Sequence, residues 1–149
     1  MRKGIIVSVQ GYSQETTEEL AKEAVNAGAV AIRTDKDIKV NALIVGLKKE
    51  KVDILEDEPY ITHTLHAVKI VSKWADIIAI DYRRLNGNVK EISDYCREKE
   101  LKVVADISNM RDYKNIIYKG YYYSFVATTF SVFKRKHHPD KKFIIQIKN

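Results

Sequence analysis

The chain has 149 residues, 45% of them hydrophobic and 31% charged, with only 2 Pro and 6 Gly, which is the make-up of one folded domain with a real core and not of a disordered chain. The net charge of +6 is unevenly placed: residues 133–149 carry six Lys and Arg against one Asp, whereas the other 132 residues carry 20 against 19. A near-neutral body argues against nucleic-acid binding by the body of the protein.

In chain order, GIIVSVQ (4–10) is the first β-branched run. The apolar stretch within it is too short for a signal-peptide core, and no run approaches a membrane span. TTEELAKEAVNAG (16–28) then reads as a helix. Thr16 and Glu19 form its capping box, Leu20, Ala24 and Ala27 its apolar stripe, and Gly28 its stop. AVAIRT (29–34) and ALIVGLK (42–48) are the next strands, with only Asp35 to Asn41 between them. A parallel crossover through a helix needs about a dozen residues, so no full helix is expected there.

His63 and His66 follow and read as surface or cap histidines, since no further ligand is spaced for a metal. TLHAVKIVSKW (64–74) is a helix with Leu65, Val68 and Val71 on one face. ADIIAIDY (75–82) is a strand. NVKEISDYCREK (88–99) is a helix started by a capping Asn88, with Val89, Ile92 and Cys96 inward. Cys96 therefore reads as core rather than nucleophile, and one cysteine fits a reducing cytoplasm. KVVADI (102–107) is a strand, and MRDYKNIIYKG (110–120) a helix ending at Gly120. Tyr121 to Tyr123 read as packing under a helix–strand corner or at an oligomer contact. SFVATTF (124–130) is a strand, 131–141 a basic linker holding His137 and His138, and KFIIQIK (142–148) a last strand. The strands are apolar on both faces and alternate with helices. This predicts a single α/β domain over 1–149, with about seven parallel strands and four or more helices.

Sheets of parallel strands place their sites at the strand C-terminal ends. Here those ends carry Gln10, Arg33, Lys48 with Lys49, Asp81, Asp106, and Thr128 with Thr129. An Asp that ends an apolar strand needs a ligand, a partner charge or a helix cap to satisfy it. Two such acids, an arginine and a lysine form a candidate constellation.

The stretches KGIIVSVQG, AGAVAIRT, IVGLKK, YITHT, ADIIAIDY, VVADIS and VATTFS, in this order over residues 3 to about 131, resemble bacterial N-acetylmannosamine-6-phosphate 2-epimerases. The resemblance implies an incomplete TIM (β/α)8-type barrel. It also implies interconversion of N-acetylmannosamine 6-phosphate and N-acetylglucosamine 6-phosphate by lysine-mediated transfer of the C2 proton, within sialic-acid breakdown. Lys49 matches the family's base when Gly46 is aligned, while Lys48 and Lys51 remain alternatives. Gln10 and Arg33 match sugar-holding positions, and Asp81 and Asp106 match strand-end acids in the pocket. Asp106 is the second catalytic candidate, and Thr128 and Thr129 join the substrate-binding set. No metal and no cofactor is implied.

The family's acid on its seventh strand aligns with Ile147, and its eighth strand and phosphate loop have no counterpart in this sequence. FIIQIKN therefore reads as a cut inside a barrel. Its open sheet edges would be covered by a second copy or a partner chain. The alternative implied is a non-catalytic truncated paralogue, binding a sugar phosphate or serving as an interaction module.

Overall fold

Each β-branched run holds a strand, whose residues meet a neighbour in register. In the computed structural model the residues described are 3–50, 60–82, 88–107, 110–128 and 142–145. In chain order the elements are β1 (Ile6–Val9), α1 (Gln14–Asn26), β2 (Ala31–Thr34), β3 (Leu43–Gly46), β4 (Lys49–Glu50), β5 (Tyr60–Ile61), α2 (Leu65–Val71), β6 (Ile77–Asp81), α3 (Asn88–Glu98), β7 (Val103–Asp106), α4 (Met110–Lys119), β8 (Phe125–Thr128) and β9 (Lys142–Ile145).

Seven strands form one sheet in the order β1-β2-β3-β6-β7-β8-β9, every pairing parallel. The order follows the chain without reversal. That is the winding of a barrel rather than of a doubly wound sheet, whose order reverses at a switch point. The fold is an incomplete TIM-type barrel. Among the described residues no helix is long and apolar enough to cross a membrane.

Alternation along the strands builds two cores. Ala31, Val45, Leu47, Ile77, Ala79, Val104, Phe125 and Ala127 share the inner, concave face. Their neighbours in sequence face the helices: Ile78, Ile80, Val103, Ala105 and Val126 pack with Val68, Val71, Val89, Ile92, Cys96, Tyr113 and Ile116. Each such buried Ile or Val contributes roughly 1.5–3 kcal/mol. Between β2 and β3 there is no helix, as the seven-residue gap requires. Ile38 covers the outer face there instead, buried with Val9, Ala21, Ala29, Ile32 and Ile44.

Helix α1 begins earlier than its sequence suggests. Ser13, extended at φ −64° and ψ 163°, is the N-cap, and its Oγ accepts from Thr16 N at 3.2 Å. The capping box from Thr16 to Glu19 is therefore not formed, since Thr16 already lies inside the first turn. The buried stripe is correspondingly Thr17 and Ala21, with Leu20, Ala24 and Val25 beside them. Ala27 is the exposed C-cap and not part of it. Gly28, at φ +106°, then closes the helix. Its N–H donates to Val25 O at 3.0 Å and that of Ala29 to Ala24 O at 3.0 Å, the paired bonds of a left-handed cap. Helix α2 starts at its N-cap Thr64. Asn88, expected as the cap of α3, is instead its first helical residue; the 131–141 linker, Lys51 and Thr129 lie outside the described residues.

Candidate active site

The sheet ends its strands toward one rim, and the polar residues of that rim fall on the concave face by register. Ser8 pairs with Arg33, Arg33 with Val45, and Asp81 with Asp106. Asp81 is 1% exposed and Asp106 4%, so two carboxylates sit side by side on neighbouring strands, out of water.

Arg33 reaches one of them. Its Nη2 donates to Asp106 Oδ2 at 2.8 Å and its Nη1 to Oδ1 at 3.4 Å, a fork-to-fork pair. β2 and β7 are three strand spacings apart, roughly 14 Å along a flat sheet. An arginine and an aspartate do not span that distance, so the contact depends on the curl of the sheet. With the side chains 13% and 6% exposed, the pair is largely desolvated. The guanidinium keeps further N–H groups that Asp106 does not use.

Gln10 lies one residue beyond β1. Its Nε2 donates to Ser8 Oγ at 2.6 Å, which holds the carboxamide beside the strand that neighbours Arg33. Thr128 closes β8 in register with Ile145.

The lysines are placed differently from a simple strand end. β3 stops at Gly46, and Leu47 N still donates to Thr34 O at 3.0 Å. The chain then enters an antiparallel pairing, with Lys49 opposite Ile61 and Glu50 opposite Tyr60. Lys48 is locked at the entry: its N–H donates to Thr62 Oγ1 at 2.9 Å, and Thr62 N–H donates to Lys48 O at 2.7 Å. Lys48 is half-buried and Lys49 exposed. Thr62 is fully buried at φ +36°. A β-branched residue held there stores about 1–3 kcal/mol of strain.

Three residues around this pairing were not read from sequence as part of the site. Glu50 Oε1 accepts from Thr64 Oγ1 at 2.9 Å, while Glu50 Oε2 lies 3.0 Å from His63 Nδ1. Both of these facing atoms are buried. Thr64 Oγ1 also accepts from Ala67 N at 3.1 Å. His63 is 6% exposed and Thr64 is the N-cap of α2, which corrects the reading of His63 as a surface or cap histidine; His66 is exposed. The YITHT motif was visible, but not its contact with Glu50, because the partner lies across an antiparallel pairing too short to give a pattern. Among the described residues no group of three or more His, Cys, Asp or Glu side chains is placed to hold a metal ion.

Residues 17–149 match the NanE family model, described as "Putative N-acetylmannosamine-6-phosphate epimerase". A curated relative from Clostridioides difficile (strain 630), named "Putative N-acetylmannosamine-6-phosphate 2-epimerase", is 32% identical over 123 residues, which is 70% of this chain and 54% of the relative. The chain thus spans about half the length of the relative it matches. With a sequential parallel half-barrel and a match over most of its length, this chain belongs to the N-acetylmannosamine-6-phosphate epimerase family.

Proposed function

We propose that the chain interconverts N-acetylmannosamine 6-phosphate and N-acetylglucosamine 6-phosphate by moving the C2 proton, in the cytoplasmic breakdown of sialic acid. The observation that carries this reading is the desolvated Arg33–Asp106 pair beside Asp81 at the rim of the concave face. The C2 proton is not acidic until charge developing on the neighbouring oxygen is stabilised, and a fixed guanidinium in a water-poor site supplies that stabilisation. Asp106 assists by holding the guanidinium in place. Lys49 is the base, and Gln10, Arg33, Asp81, Thr128 and Thr129 hold the phosphorylated amino sugar.

A second reading is binding without turnover. Its support is the exposure of Lys49, since a base at C2 works best in a dry site. One experiment separates the two. The protein is incubated with N-acetylmannosamine 6-phosphate in deuterated water, and the C2 proton is followed by NMR. Exchange that disappears in Lys49→Ala supports the epimerase; heat of binding by calorimetry without exchange supports the second reading. Exchange that persists in Lys49→Ala moves the base to another lysine.

A further inference from the structure

We infer that Glu50 and His63 are positioning residues that hold the lysine-bearing pairing of β4 and β5 in its strained conformation. The two side chains are 17% and 7% exposed and their facing atoms are 3.0 Å apart. They lie on opposite arms of the pairing: Glu50 in β4, His63 two residues past Ile61 at the end of β5. Between them sits Thr62, whose left-handed φ of +36° has no glycine to relieve it. A strained residue persists only where its surroundings over-determine it. Here they do so from three sides. Thr62 exchanges two hydrogen bonds with Lys48, Glu50 receives the Thr64 hydroxyl, and Thr64 in turn caps α2 through Ala67 N. The Glu50–His63 contact closes this ring of contacts. Lys48 and Lys49 sit inside it, so these side chains set their backbone position. The catalytic consequence rests on the epimerase reading; the holding of the pairing does not.

The test compares wild type with His63→Ala, His63→Asn, whose amide nitrogen falls near the imidazole Nδ1, and Glu50→Gln. Amide hydrogen exchange at Lys48 and Thr62 reports the pairing directly and needs no substrate. Protection at both amides should fall about tenfold or more in His63→Ala through local opening, and return in His63→Asn. The C2 exchange rate at saturating N-acetylmannosamine 6-phosphate should fall up to about a hundredfold in His63→Ala, as for a displaced catalytic group. KM should stay nearly constant, with recovery of rate in His63→Asn. If His63→Ala does not fold, Glu50→Gln tests the same contact from the other arm by the same two readouts. Unchanged protection at Lys48 and Thr62, or no difference between the Ala and Asn variants, overturns the inference. Absence of C2 exchange in wild type sinks the epimerase reading alone, and the amide protection then decides the positioning role.

Discussion

At the scale of single residues, the sheet carries two points where one atom decides the outcome. Gly46 ends β3 facing α2, and a Cβ built on it would lie 2.5 Å from Ala75 Cβ, 2.8 Å from Val71 Cγ1 and 2.9 Å from Trp74 Cζ3. All three neighbours are buried or half-buried side chains at or just past the end of α2, packed against the core. Gly46→Ala should therefore cost about 1–3 kcal/mol through overpacking, read as a lowered urea midpoint with unchanged slope. The second point is the Arg33–Asp106 pair. Removing one partner from a desolvated ion pair costs about 3 kcal/mol or more, whereas replacing both by apolar residues is often neutral. Arg33→Met should thus be markedly destabilised, and Arg33→Met with Asp106→Leu should recover most of the loss. Equal stabilities of the single and double variants would mean that the charge of Asp106 is met without Arg33.

At the scale of elements, the helices divide by how they stop. α1 and α4 end on Gly28 and Gly120, with φ of +106° and +67°. α3 closes with the same two bonds, Glu100 N to Arg97 O at 3.2 Å and Leu101 N to Cys96 O at 3.0 Å, but places Glu100 at φ +53°. Left-handed backbone costs a residue with a Cβ roughly 1 kcal/mol, part of which glycine gives back as unfolded-chain entropy. Glu100→Gly should raise stability by about 0.5 kcal/mol, or roughly 1–2 °C in Tm. The stops at Gly28 and Gly120 were legible because glycine advertises the conformation; the one at Glu100 was not, because the tertiary packing of Leu101 imposes it. The same contrast runs through the site. Arg33, Asp81 and Asp106 could be placed on strand ends from where the apolar runs stop. That Arg33 meets Asp106 across two intervening strands depends on curvature, which those runs do not encode. The two-residue strands β4 and β5 are shorter than any period, so Glu50 and His63 looked unrelated.

At the scale of the whole molecule, the outer core is where the sheet and helices are tied together, and two protons are trapped in it. Burial pushes the Cys96 thiol from its ordinary 9.0 up to about 12. Tyr82 is raised as well, first by burial and then by the neighbouring Cys96. The Tyr82 hydroxyl donates to Tyr122 O at 2.6 Å, and Tyr122 N–H donates to Ser93 Oγ at 2.7 Å, so β6, α3 and the tyrosine run close around these groups. Unfolding frees both to titrate at their ordinary values. Above pH 9.0 the unfolded chain releases the Cys96 proton while the folded protein keeps it until about pH 12. The unfolded state then binds fewer protons, and stability falls as pH rises through this window by about 1.4 kcal/mol per pH unit for one group. Below pH 9.0 the contribution is present in full. Many lysines titrate nearby, so the informative quantity is a difference between two proteins. Urea melts of wild type and Cys96→Val at pH 8, 9.5 and 10.5 should lie parallel up to about pH 9 and diverge above it, wild type losing stability faster. Parallel lines to pH 10.5 would mean that solvent reaches Cys96 in the folded state, and that the seam between β6, β7 and α3 opens more readily than its packing implies.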